Sequence, residues 1–276
     1  MGTLPSAISK LTLLDSLSLW GNSLQGSIPS EIGNLEALTL LTLFDNKLTG
    51  SLPSEMGQLE LLETLDASRN GFSNSIATEL VQCSSLEVLF LAENSFTDEI
   101  PSEIGHLVLL KQLGLQVNRL DSSIPTEIGL LQELTYLSLE NNNLERAIPS
   151  ELSGLTMLET LDFSMNFLSG SIPTQFGLLE KFFSLNLGTN DLEGQLPPEL
   201  GKLTQLISLD MSSNQLTGGV PTELVRLSSL RHLLIQDNDF TGTVPNGFCD
   251  TPVFEWQEMS ADCDFELECD CCTKCS

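Results

Sequence analysis

The sequence predicts an α/β repeat solenoid, in which each turn of a coil gives one short strand to a parallel sheet and one short helical turn to the opposite side. Three observations predict it. Asparagine recurs every 24 residues without a slip, at Asn22, Asn46, Asn70, Asn94, Asn118, Asn142, Asn166, Asn190, Asn214 and Asn238. Around each lies LxxLxLxxN, from Leu14, Leu17 and Leu19 in the first frame to Leu230, Leu233 and Ile235 in the last. The second half of each frame follows LxGxIPxxIGxL, as in Leu24-Gln25-Gly26-Ser27-Ile28-Pro29. A fixed period of this length marks a repeat architecture.

Each element has a physical reason. The LxL alternation has period two, so its leucines face one side of a short strand. A single strand cannot bury them, but stacked neighbours form a continuous core. Ten parallel strands about 4.8 Å apart give a face roughly 45 Å long before curvature. Where the chain turns off each strand, backbone N–H and C=O groups point inward. A buried Asn amide can pair with those groups in its own coil and the next. The ten asparagines are therefore expected to form a structural ladder and not a ligand site. In the second half, Pro suits the first position of a helical turn, having no N–H to lose. A Ser or Thr and an acidic residue usually follow, as in Ser30-Glu31 and Thr126-Glu127, and negative charge is favoured near a helical N-terminus. Short 3-10 or helical turns are expected there.

The chain has 276 residues, is 41% hydrophobic and 6% aromatic, and carries 38 acidic against 11 basic residues, a formal charge of −27. Such a surface repels phosphate backbones and anionic lipid, which argues against nucleic-acid and membrane-surface partners, and it attracts basic peptides or divalent cations. No uninterrupted apolar run is long enough for a transmembrane helix, and Met1 to Leu11 lack the basic and apolar regions of a signal peptide. The solenoid is assigned to residues 1–245, a partial first coil and ten repeats, and a Cys-rich cap to residues 246–276.

Six of the seven cysteines fall in that cap: Cys249, Cys263, Cys269, Cys271, Cys272 and Cys275. They permit fifteen pairings; three disulfides are expected, with Cys271 and Cys272 bridging different partners. A zinc site on Cys269 to Cys275 is the weaker reading, because no His lies nearby and the spacing matches no common module. Phe248, Val253, Phe254, Trp256, Phe265 and Leu267 offer the cap apolar surface without a regular period, so cross-links are expected to hold it. Cys83 occupies a leucine slot and is expected to be a buried free thiol. The cysteine cluster points to an oxidising, extracellular or cell-surface compartment. The lack of any N-x-S/T sequon counts slightly against it.

The repeat resembles the plant-type leucine-rich repeat, LxxLxxLxLxxNxLxGxIPxxIGxL, over residues 2 to about 245. That class includes plant receptor-kinase ectodomains, receptor-like proteins and polygalacturonase inhibitors. The resemblance implies a right-handed superhelix with a concave parallel sheet and a second short strand near GxIP. Three departures stand out. The Gly of GxIP is replaced by Asn74, Asp98, Ser122 and Arg146, and the Pro once by Ala77. Gly2-Thr3-Leu4-Pro5 aligns with Gly26-Ser27-Ile28-Pro29, so the chain begins mid-coil, and a fragment lacking its upstream signal peptide or anchor is expected. The tail Cys269-Asp270-Cys271-Cys272-Thr273-Lys274-Cys275 looks more like the caps of algal members.

In this class ligands most often meet the variable positions of the concave strands, which places Trp20, Phe44, Phe90 and Tyr136 as candidate ligand-binding residues. Aromatic side chains bury much area at small entropic cost. The competing reading is that Trp20 and Phe44 only cover the ragged N-terminal end. His232 beside Ser208 and Asp210 invites a Ser-His-Asp reading, but the face is rich in Ser and Asp throughout and no oxyanion loop accompanies them, so no catalytic residue is assigned. His106 falls at a solvated outer position. The outer column from Glu31 to Glu223 supplies one carboxylate per coil, short of a calcium cage, so neither metal nor cofactor is expected. The function expected is recognition of a protein, peptide or glycan on the concave face. Inhibition of an extracellular hydrolase and a structural or adhesive role in the cell wall are the alternatives.

Overall fold

The computed structural model describes residues 2–249, 256–262, 267–270 and 272–275. Parallel strands from successive coils stack in register into one main sheet, starting with Ser16–Ser18, Leu40–Thr42 and Thr64–Asp66 and reaching His232–Leu234. The middle residue of each strand points inward: Leu41, Leu65, Leu89, Leu113, Leu137, Leu161, Leu185, Leu209 and Leu233 are fully buried. Burial of each such side chain contributes about 1.5–3 kcal/mol. The sheet does not stop at the last 24-residue frame. Glu258–Ala261 pairs with His232–Leu234, and Lys274–Cys275 pairs with Glu258–Ala261, making twelve strands among the described residues. Sheet pairing therefore extends into the tail, although its apolar residues lack a regular period.

The ladder asparagines sit at the corner after each strand. The Asn118 Nδ2 donates to Leu115 O and Gln116 O of its own coil at 3.0 and 3.4 Å, and to Leu91 O of the preceding coil at 3.0 Å. Its Oδ1 accepts from the backbone N–H of Phe96 at 3.0 Å. The same four bonds recur at Asn46, Asn70, Asn94 and onward to Asn238, whereas the exposed Asn22 donates only within its own coil, to Leu19 O and Trp20 O at 2.9 and 3.1 Å. The residue just before each ladder Asn is left-handed: Gly21 at φ 65°, then Asp45, Arg69, Glu93, Val117, Asn141, Met165, Thr189, Ser213 and Asp237 at φ between 52° and 58°. An L-residue held there costs about 1–2 kcal/mol, so the corner persists because the amide bonds over-determine it.

A second strip of short strands runs along the GxIP segments, in two groups, from Gln25–Gly26 to Ser95–Phe96 and from Glu145–Arg146 to Asp239–Phe240. Between them the bonds Arg119 N to Phe96 O and Glu145 N to Ser122 O keep the coils tied. The substituted glycine slot keeps its geometry: Asn74, Asp98, Ser122 and Arg146 have φ of 66–70°, beside the positive φ of Gly50 and Gly170.

On the convex side every described turn is 3-10, as at Ser30–Asn34 and Ser102–His106. The Pro of the repeat motif stands before these turns and does not open them; the additional Pro198 does open its own turn. Pro29, at φ −70° and ψ 142°, is extended and stands just before the turn, where its carbonyl accepts from Ile32 N at 3.0 Å. An imide without N–H fits that preceding position equally well, because only its C=O is used. Neighbouring turns pack closely: a Cβ on Gly33 would lie 2.4 Å from Glu55 O and one on Gly129 2.2 Å from Glu151 O. Val81, Ser153 and Val225 fill that slot every third coil, where the turns stand further apart.

The last ladder rung is finished by a side chain. Elsewhere the corner amides donate to backbone carbonyls of the next coil, as Asp45 N to Ser68 O and Asn46 N to Arg69 O. At the end, Asp237 N and Asn238 N donate to Asp262 Oδ1 and Oδ2 at 2.7 and 2.9 Å. Thr273 adds a clamp, its Oγ1 accepting from Met259 N and donating to Met259 O at 2.8 and 2.9 Å. Cys269 and Cys272 form a disulfide and Cys249 is disulfide-bonded; Cys263 and Cys271, and the Cys275 side chain, lie outside the described residues. Cys83 is a buried free thiol that donates to Met56 O, and burial pushes its pKa up to about 11.

Three outcomes follow. Asn118→Ala leaves buried amide and carbonyl groups unpaired, and is predicted to lower unfolding free energy by about 1–3 kcal/mol, measured by denaturant melts; unchanged stability would contradict the ladder's role. Asp262→Ala strips two charge-assisted bonds and is predicted to cost a similar ~1–3 kcal/mol, with Asp262→Ser recovering part of it. Thiol counting on denatured, unreduced protein is predicted to find Cys83 alone if the six tail cysteines are all paired; a higher count would refute three bridges.

Candidate concave binding site

The concave face is built from side chains that alternate with the buried leucines. Its N-terminal half carries the aromatic residues. Trp20 is 64% exposed, whereas Phe44, Phe90 and Tyr136 are half-buried. A concave cavity of about 260 Å³ is lined by Phe44, Asp66, Arg69, Phe90, Glu93, Gln116 and Tyr136, with Ser68 and Ala92 at its floor. Three of the four candidate aromatics thus share one cavity; Trp20 does not line it.

Two local features shape the cavity. Phe90 and Tyr136 meet edge to face with centroids 6.2 Å apart, although a whole strand, Gln112–Gly114, lies between theirs. Gly114 makes this possible, since a Cβ there would fall 2.6 Å from Phe90 Cδ1. On the other wall, Arg69 leaves its left-handed corner to place its guanidinium 5.4 Å above the Phe44 ring, while its Nε donates to Glu93 Oε1 at 2.7 Å. The Glu93 carboxylate raises the Arg69 pKa further. Gln116 Oε1 is buried with no hydrogen-bond partner among the described residues.

Beyond Tyr136 the face turns polar and acidic. Burial pushes the Tyr136 phenol up, with the charges of Asp162 and Glu140 adding to it and a bond to Ser138 acting the other way. Burial, and then the Asp162 charge, hold the Glu140 carboxyl above its usual range. Asp162 Oδ1 accepts from Ser164 N and Oγ at 3.0 and 2.6 Å, and its Oδ2 from Asn186 Nδ2 at 3.2 Å. Asp210 accepts from Ser212 N and Oγ in the same way at 2.9 and 2.6 Å. These short loops of bonds fix the carboxylates on the strand surface.

His232 lies level with Ser208 on one side and Glu258 on the other. Asp210 accepts from Ser212, and no hydrogen bond links His232 to either Ser208 or Asp210 among the described residues. His106 is exposed at the end of its 3-10 turn. The outer glutamates accept from the preceding hydroxyl, as Ser54 Oγ to Glu55 Oε2 at 3.2 Å and Thr126 Oγ1 to Glu127 Oε2 at 3.2 Å.

Sequence reasoning missed Arg69 and Glu93. They stand one residue past the facing column, at the left-handed corner, from which a long side chain reaches back over the strands. Arg69 was still detectable as one of only 11 basic residues, set between coils that carry Phe44 and Phe90.

A family model described as Leucine Rich Repeat matches residues 13–35, 37–59, 85–107, 133–155, 157–179, 205–227 and 229–251, together more than half of the chain. No curated protein sequence matches it. Among solved structures, the plant peptide hormone receptor RGFR1 in complex with RGF2 is similar over 97% of this chain and 42% of its own, at 34% identity and a TM-score of 0.90. A TDR receptor is similar over 97% of this chain and 46% of its own, at 30% identity and a TM-score of 0.91. A leucine-rich-repeat protein of Leptospira interrogans covers 94% of this chain and 64% of its own, at 33% identity and a TM-score of 0.78. The chain therefore spans less than half the length of the two receptors. Repeat, fold and structural likeness agree, and the chain belongs to the leucine-rich-repeat family.

Proposed function

We propose that this chain is a recognition module that binds a protein or peptide ligand on its concave face, centred on Phe44, Phe90 and Tyr136 with Trp20 extending the contact. The observation that carries the reading is the cavity itself: aromatic rings from non-adjacent coils converge on it, and they do so beside a fixed ion pair and an unpartnered acceptor. Convergent aromatics with a few placed polar groups are how protein surfaces concentrate binding energy. The similarity to a plant peptide hormone receptor supports a peptide as the ligand. The tail disulfide supports an oxidising, extracellular setting. No helix among the described residues is long and apolar enough to cross a membrane.

The test uses peptides selected on the full chain from an unbiased display library. The pair Phe90→Ala and Tyr136→Ala is predicted to weaken the selected peptides by more than about 1 kcal/mol, a loss of over ~5-fold, with the melting temperature nearly kept. Cross-linking should map the peptides to strands Val88–Phe90 through Tyr136–Ser138. Cross-links confined to the outer stripe from Glu31 to Glu223 would remove the concave site.

A further inference from the structure

The cavity and the strands next to it show which ligand chemistry they fit. Its one cation, Arg69, is spent internally, stacked on Phe44 and paired with Glu93. Asp66, also lining the cavity, accepts from the Ser68 N–H at 3.0 Å and, among the described residues, is in no salt bridge. Past Tyr136 come Glu140, Asp162 and Asp210, and among the described residues none of these three is in a salt bridge. Those salt bridges join Arg69 to Glu93, Lys111 to Glu87, Arg146 to Glu145 and Lys274 to Glu258. The concave face therefore holds two half-sites of the same kind, each an aromatic ring beside carboxylates. The first, Phe44 with Glu93, already holds a guanidinium. The second lies just past the cavity, where Tyr136 and Glu140 stand two residues to either side of Ser138 and Asp162 is level with Ser138 on the next strand; among the described residues it holds no cation.

Resting on the recognition reading above, we propose that the ligand is a basic peptide segment, with an arginine or lysine side chain seated against the Tyr136 ring between Glu140 and Asp162. The chemistry is complementary at each contact. An aromatic face attracts a cation within about 6 Å of its centroid. The fixed Asp162 and the half-buried Glu140 are repelled by one another, and a ligand cation between them relieves that repulsion. The net charge of −27 speeds encounter with any basic chain, so overall charge brings the ligand in and the Tyr136 half-site sets where it lies.

The probe is a fluorescent peptide of alternating Arg and Gly, compared with the same peptide carrying neutral citrulline for Arg, titrated against the full chain at about 0.15 M salt, where long-range attraction is screened beyond roughly 8 Å. Binding of the Arg peptide is expected to fall at least ~10-fold in Glu140→Gln/Asp162→Asn and at least ~5-fold in Tyr136→Leu. It is expected to change less than ~2-fold in Glu103→Gln/Glu127→Gln, which removes the same charge from the outer stripe. Thermal melts establish that each variant is folded, and Asp162→Asn alone, which keeps a bond to Ser164, replaces the double variant if that one fails to fold. Equal loss from the outer-stripe variant, equal binding of the citrulline peptide, or no binding of the Arg peptide would each overturn the proposal. Library-selected peptides that still depend on Phe90 and Tyr136 in that event would leave the recognition module standing and its ligand class wrong.

Discussion

The rest of the structure depends on the four hydrogen bonds made by one asparagine side chain in each coil from Asn46 to Asn238. A solenoid must turn its chain sharply after every strand, and the turn leaves backbone groups facing a leucine core that cannot satisfy them. The amide answers with two donors and an acceptor in fixed geometry, and it spends them on two coils at once. That sharing forces the repeat to be strict. A change of one residue between rungs would place the amide against the wrong carbonyl, so the 24-residue period runs from Asn22 to Asn238 without a slip.

The same corners give the concave face its character. Because the residue before each rung is held left-handed, its side chain swings to the rim of the strand surface. Here Arg69 and Glu93 lean back together over the cavity. The facing columns then need only small differences to make a site. Gly114 in place of a larger residue lets Phe90 reach Tyr136, and Ser164 and Ser212 pin the aspartates that precede them. A regular scaffold with a few irregular side chains separates what fixes the fold from what fixes the ligand.

Much of this was legible in the sequence, because period is a one-dimensional signal. The spacing of Asn and Leu shows the coil, its strands and the buried ladder, and the resemblance to plant-type repeats adds the second strand near GxIP. The facing columns pick out Phe44, Phe90 and Tyr136. What the period could not show are contacts across coils made by side chains that leave their own column. Arg69 reaching Phe44 is one case, and Asp262 standing in for missing backbone carbonyls is another. The tail strand Glu258–Ala261 was hidden for a related reason. It pairs with His232–Leu234 at an offset of 26 residues rather than 24, so the rhythm that announces every other strand breaks where the cap begins.

The ladder's hold on the corners is most directly tested by native-state hydrogen exchange at the backbone amides whose acceptor is the Asn Oδ1 of the next coil, those of Leu48, Phe72, Phe96 and Leu144. They should be protected as strongly as the main-sheet amides of Leu43 and Leu91, and in Asn118→Ala the Phe96 amide should lose that protection while Leu48 keeps it. Phe96 exchanging at the same rate in both proteins would show that the asparagine does not hold the coil.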